Sequence, residues 1–461
     1  MKKTMVSILL VLLAGSGVPS AQPVPDGQAA WTGSAEERVW GLMQVWAEVK
    51  FAFPHFDRLP DLDWDARVRE CIPRVMAAGD LESYYAVLGE LVSLLRDGHT
   101  SITPPWGYIR PGYDIPPIEV QVVGDSFLVA RVGETEETAT NRIARGQEIV
   151  EIDGSPVRRY FQDHVLRFSS RGVKQADEGI NIFYLLFGPR DSRITLTIRD
   201  LDGATRDVRL TRNSTLPDGS PFVYRFVEWN MMSPNLVSRT LPGGIRYVAI
   251  PSFAEGGYVA EFESLIDALD ARSIRGVVID LRYNLGGNSS FCDKMIGCLI
   301  DEPVKSATMR YPQYAGALRA WGEETVWSER SWTIPPREGR RYLGPLVVLT
   351  GSATNSTGED FALQLHASRR AVLVGGKTAG SSGNPIEVTL PGGGTLRVST
   401  FKAQYPDGRQ FVGIGILPDV EVEPTRADVV SGRDPVLAAG IEVLRHWDEY
   451  RKGGWRPVVE E

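Results

Sequence analysis

The chain has 461 residues, too many for a single hydrophobic core, so several domains of about 100–200 residues each are expected. Hydrophobic residues make up 43% and charged residues 23%, the balance of a globular chain rather than a disordered or membrane-embedded one. A net charge of -8 with no basic stripe argues against nucleic acid as a partner, because phosphate binding draws on clustered Lys and Arg.

Residues 1–21 read as a secretion signal. Lys2 and Lys3 open the segment, Met5 to Val18 is apolar or small, and Ser20 or Ala21 precedes the expected cut. The apolar run is shorter than the ~20 residues of a spanning helix and holds Gly15 and Gly17. Cleavage is therefore expected, leaving no membrane span and a periplasmic or extracellular protein. Residues 22–34 are small and polar, a flexible lead-in.

From Ala35 to about residue 112 a small helical module is expected. Val39, Leu42, Met43, Val45, Trp46 and Val49 recur at helical spacing. Pro54 and Pro60 interrupt, Asp63 or Asp65 starts a second helix, and Asp80-Leu-Glu-Ser starts a third that leads to Asp97-Gly98-His99-Thr100. Residues 113–212 change to short strands with β-branched alternation, such as Ile118–Val123 and Ile194–Ile198.

Residues 236–448 alternate strand and helix patterns. Gly276-Val-Val-Ile-Asp-Leu and Leu346-Val-Val-Leu-Thr are continuous apolar strands of the kind buried on both faces. Such a βαβ rhythm predicts a largely parallel sheet whose ligands gather at the carboxyl ends of the strands. Cys71, Cys292 and Cys298 are odd in number and scattered, unlike a disulfide framework or a metal signature, so neither metal nor cofactor is expected.

Two strand ends carry unusual sequence. Past Asp280 stand Gly286 and Gly287, which permit a sharp turn and leave amides free to face a ligand. Past Thr350 comes Ser356-Thr357-Gly-Glu359-Asp360, with Ser356 at the expected start of a helix. Free amides and the positive dipole end stabilise an anion there, although the Ser356 and Glu359 spacing also fits an ordinary capping box.

Five motifs in one order carry a resemblance: Asp97-Gly-His99-Thr, Asp280-Leu-Arg-Tyr-Asn-Leu-Gly-Gly, Ser356-Thr-Gly-Glu359, Gly375-Gly-Lys-Thr-Ala-Gly380 and Gly415-Ile-Leu-Pro-Asp419. From about Ala35 to Leu444 the chain resembles the S41 peptidases, the C-terminal processing peptidases, and most closely their tricorn-like branch. Within 113–212, Ala144-Arg-Gly-Gln147-Glu-Ile-Val-Glu-Ile-Asp-Gly-Ser-Pro-Val resembles a PDZ-domain pattern, with Gln147 at the usual Asp.

The resemblance implies an α/β multi-domain protein. Its catalytic core would be a crotonase/ClpP-like ββα fold, joined to an all-α N-terminal module and a PDZ-like β-rich domain. It implies peptides or unfolded proteins as substrates, Ser356 as nucleophile and His99 as general base. The oxyanion hole would combine the amide of Thr357 with one from Gly286 or Gly287.

Departures are equally specific. The lysine base of the processing branch falls at Ser381 here, and Lys377 nearby fits a common non-catalytic lysine. The tricorn-like serine just before the histidine is Gly98, and the tricorn-like glutamate falls at Val412. The acid that orients His99 is left unassigned among Asp97, Glu359 and Asp360. Two other readings stand beside the peptidase: a catalytically inactive binder that holds peptide or an apolar ligand, and an esterase or lactamase using the same acyl-transfer chemistry. Oligomeric state is not legible.

Overall fold

The structure is a computed structural model that describes residues 33–453 apart from 108–109, 226, 229–231, 234 and 271–272. The expected signal, 1–21, and nearly all of the 22–34 lead-in lie outside the described residues. No helix among the described residues is long and apolar enough to cross a membrane.

Three helices come first, Ala35–Ala52, Trp64–Ala77 and Leu81–Ser93. Each begins where a side chain accepts an otherwise unpaired amide: Ser34 from Glu37, Asp63 from Ala66, Asp80 from Ser83. Their inner faces bury Leu42, Val45, Val68, Tyr84 and Leu88, but the same cluster also takes in Leu390, Leu396 and Val398. Those three belong to the strands Ile386–Thr389 and Thr395–Val398, far along the chain. At about 1.5–3 kcal/mol per large apolar side chain, this shared core fastens the helices to the C-terminal half. The next strand, Ser101–Thr103, then pairs antiparallel with Thr395–Val398, Ser101 facing Arg397.

Residues 118–211 hold a six-stranded antiparallel sheet in the order Ile118–Val123, Ser126–Val132, Glu148–Ile152, Arg193–Arg199, Thr205–Thr211, with the short strand Ser155–Pro156 paired to Glu148–Ile152. Alternation puts Ile194, Leu196 and Ile198 inside, against Phe127 and Phe161.

The remaining unit is built on a six-stranded sheet ordered Val237–Leu241, Ile245–Ala249, Gly276–Asp280, Leu346–Thr350, Val372–Gly375, Val420–Glu421. The first pair is antiparallel and the others are parallel. Every residue of Gly276–Asp280 and Leu346–Thr350 is buried, as continuous apolar strands require. Val277, Ile279 and Val348 face the helices Gly257–Ala268, Ser289–Gly297 and Thr357–Ala367, while Val278, Val347 and Leu349 face the helix Pro435–Arg445. The mixed α/β character agrees with the sequence reading at that level.

Just past the strand Gly276–Asp280, Arg282 clamps its own strand end. Its guanidinium bonds Asp280 at 2.7 Å and Asp434 at 2.8 Å, and the Tyr247 hydroxyl donates to Asp280 at 2.8 Å. The loop that carries Gly286 and Gly287 is thereby tied to the helix Pro435–Arg445.

Candidate active site

Ser356 sits between the strand Leu346–Thr350 and the helix Thr357–Ala367 with φ 55° and ψ -125°. A non-glycine residue in that region costs about 1–3 kcal/mol and persists only where surrounding bonds impose it. Here the Ser356 N–H donates to the Ser381 carbonyl at 2.9 Å and lies 3.3 Å from a Glu359 carboxylate oxygen. The sharp turn presents the hydroxyl to a cleft of about 760 Å³.

His99 reaches that cleft because the strand Ser101–Thr103 is paired to Thr395–Val398. Its Nε2 lies 3.0 Å from the Ser356 hydroxyl and its Nδ1 lies 2.6 Å from the Ser381 hydroxyl. With Nδ1–H donating to Ser381, Nε2 is free to accept the Ser356 proton. Burial holds the imidazole well below its ordinary range, and the negative charge of Asp97 opposes that shift. The ring is therefore neutral near pH 7, the form a general base needs.

Asp97 does not touch the ring. Its carboxylate accepts from Thr100 Oγ1 at 2.7 Å and from Ser399 Oγ at 2.6 Å. Glu359 turns to another loop, accepting from the Ser381 amide at 2.8 Å, the Gly380 amide at 2.7 Å and the Thr378 hydroxyl. Burial pushes its carboxyl up to about 8 although these donors pull it down. It fixes the loop that carries Ser381.

Beside Ser356, a Cβ on Gly286 would fall 2.6 Å from Ser356 Cβ and 2.9 Å from Thr357 N, so glycine is required for this approach. The Gly286 N–H is taken by Asn284 Oδ1 at 2.8 Å. Among the described residues no acceptor takes the N–H of Gly287 or Thr357. The Thr357 hydroxyl donates to the Gly287 carbonyl at 2.7 Å and so holds the Gly287–Asn288 peptide, next to the one that carries the Gly287 N–H.

Residues 244–422, which span the parallel part of the six-stranded sheet with both unusual strand ends, match Peptidase family S41. This match to peptidase family S41 covers less than half of the chain. Carboxyl-terminal processing proteases of this family are serine peptidases, hence hydrolases. The chain is 25% identical over 277 residues to the tricorn protease of Thermoplasma acidophilum, covering 59% of this chain and 23% of that protein. It is 23% identical over 451 residues to the chloroplastic carboxyl-terminal-processing peptidase 3 of Arabidopsis thaliana, covering 89% and 76% of the two chains. It thus spans under a quarter of the first relative's length and about three quarters of the second's. The crystal structure of mature CPAF overlays with a TM-score of 0.71 at 17% identity, covering 92% of this chain and 99% of that one, a likeness of fold alone.

Within the S41 domain and its N-terminal attachments, Ser356, His99, Thr357, Gly286, Gly287 and Asp97 line one cleft. The three carboxylates considered for orienting His99 all lie off its ring. The group on Nδ1 is the hydroxyl of Ser381, which motif reading met as a missing S41 lysine rather than as a partner. Lys377 is exposed on the loop after Val372–Gly375. His366 is engaged at the far end of its helix by Tyr405 at 3.3 Å and Asp419 at 3.2 Å. Cys71, Cys292 and Cys298 are free thiols packed in the core.

Proposed function

We propose that the protein is an exported serine endopeptidase that cleaves peptides or unfolded proteins through an acyl-enzyme on Ser356. The observation that carries this reading is the 3.0 Å contact between Ser356 Oγ and His99 Nε2, across 257 residues of sequence, beside two amides that lack an acceptor. His99 Nε2 takes the hydroxyl proton as Oγ attacks the scissile carbonyl, then returns it to the leaving amine. The amides of Gly287 and Thr357 receive the oxyanion. Water, deprotonated by the same nitrogen, releases the acyl group.

In this reading the duties of a triad acid are divided. The Ser381 hydroxyl fixes the tautomer and aim of His99, and the buried Asp97 carboxylate supplies the negative field that favours the imidazolium. Residues 236–448 act as a crotonase-like ββα core, 113–212 as a PDZ-like unit, and 35–112 as the helical module that delivers His99. Export rests on the composition of residues 1–21.

The test is hydrolysis of an unfolded protein such as reduced casein by the purified chain and by Ser356→Ala. Cleavage that disappears in a folded variant supports the reading, and cleavage that persists defeats it. One observation favours a non-catalytic peptide binder instead: among the described residues no carboxylate is hydrogen-bonded to His99. For that reading, reduced casein would bind without being cut.

A further inference from the structure

Of the acids that line the cleft, Glu255 is exposed, and Asp360 is buried yet left without a task by the chemistry above. Asp360 lies one helical turn beyond Ser356, and its N–H donates to the Ser356 carbonyl at 3.0 Å, so both side chains leave the same end of the helix. Asp360 is 9% exposed and lines the cleft that holds Ser356. Among the described residues its carboxylate has no hydrogen-bond donor and no ion-pair partner. Behind it, Asp293 takes the Trp332 indole N–H at 2.7 Å on one oxygen, and its other oxygen is buried with no partner.

A buried polar group without a partner costs about 1–3 kcal/mol, and buried charges are ordinarily paired. The helix dipole accounts for an acid in this first turn. It does not account for two neighbouring carboxyls, one on the cleft wall and one with a buried unpartnered oxygen, that have no cation beside them. Burial pushes Asp360 up to about 7, with the Asp293 charge adding to the shift, and burial raises Asp293 as well. Of the arginines lining the cleft, Arg397 is engaged by Glu387 at 3.3 Å, Arg171 by Asn181 at 3.2 Å, and Arg330 forms no ion pair with either acid. Met309, Trp332 and Phe401 line the same cleft and offer apolar surface of the kind that covers the stem of a long cationic side chain.

We propose that Asp360, backed by Asp293, floors a specificity pocket beside Ser356 that selects peptides with Lys or Arg on the acyl side of the cleaved bond. The pocket rests on the peptidase reading and narrows its substrate class. An ammonium or guanidinium entering it supplies the donor that the Asp360 carboxylate lacks and a counter-charge for the pair, and its desolvation is offset by that pairing.

The experiment compares the second-order rates at which three reagents modify Ser356, followed by intact mass. The reagents are a small neutral fluorophosphonate, a leucine-type diphenyl phosphonate and an amidinophenyl diphenyl phosphonate. The cationic phosphonate is expected to react about 30-fold or more faster than the leucine type, and Asp360→Asn to bring the two within about threefold. Benzamidine, but not the uncharged benzamide, should slow labelling by the neutral reagent in the wild-type chain, a readout that needs no variant. Labelling by the fluorophosphonate with no preference for the cation, or equal protection by both benzene derivatives, overturns the pocket and leaves the peptidase reading intact. A folded chain that none of the three modifies overturns both.

Discussion

A Cβ placed on Gly98 would stand 2.7 Å from the hydroxyl oxygen of Ser381. The residue before His99 and the side chain at 381 therefore compete for one place beside the ring, and a single hydroxyl fills it from the far side. The tricorn-like pattern carries a serine at the first position, and the processing branch carries its lysine at the second. This chain has glycine and serine. Ser381 is thus a positioning residue. Ser381→Ala should lower kcat about 10- to 100-fold with KM little changed, since the ring loses its aim rather than its basicity. Gly98→Ser should also lower kcat by displacing Ser381, and Gly98→Ser with Ser381→Gly should recover part of the loss. Steady-state kinetics decides: an unchanged kcat in Ser381→Ala, or a double variant no better than the worse single one, contradicts the assignment.

The Thr357 hydroxyl holds the Gly287 carbonyl at 2.7 Å, which gives a gentle way to disturb the oxyanion site. Thr357→Val keeps both amides but loosens the Gly287–Asn288 peptide, which adjoins the one that carries the Gly287 N–H. The expected loss in kcat is about tenfold, less than the 10²–10³ that follows removal of a donor outright. Thr357→Ser, which keeps the hydroxyl, should stay near the wild-type rate.

Much of this was legible in the chain. The apolar runs at Gly276–Asp280 and Leu346–Thr350 announced buried parallel strands, because a two-sided burial leaves no room for alternation. Asp63 and Asp80 announced helix starts because only a short polar side chain reaches back to a free amide. Ser381 was not legible, since a serine means nothing until the approach of Gly98 is known. Nor was the shared core of Leu42 with Leu396, a contact that no local periodicity encodes. The edge strand Val237–Leu241 also escaped, because its residues are largely exposed and show no apolar rhythm.

Arg282 holds Asp280, whose side chain is fully buried, and Asp434, which caps the start of the helix Pro435–Arg445. Removing the cation leaves Asp280 buried without its charge partner. Arg282→Met should cost about 3–5 kcal/mol, read as a lowered midpoint in chemical denaturation. A midpoint within experimental scatter of the wild type would show that the clamp contributes little.

His55 is buried, and burial lowers its imidazole to about 4, although Asp97 pulls the other way. Below its ordinary value near 6.5 the unfolded chain binds a proton that the folded chain refuses. Acid therefore favours unfolding through this group, at up to about 1.4 kcal/mol per pH unit down to about pH 4. Between pH 6.5 and 4 the wild type should lose about 3 kcal/mol relative to His55→Phe, measured as paired denaturation curves. A constant gap across that range would contradict the buried neutral ring.

The most direct test of the account is the rate at which a neutral fluorophosphonate phosphonylates Ser356, with loss of fluoride, at pH 7.5 in the wild type and in a folded His99→Asn variant. If the imidazole draws the proton from that hydroxyl, the rate falls about 10²- to 10⁴-fold when the ring is removed. Equal rates in the two proteins would mean that His99 takes no proton from Ser356, and the proposed chemistry would be wrong.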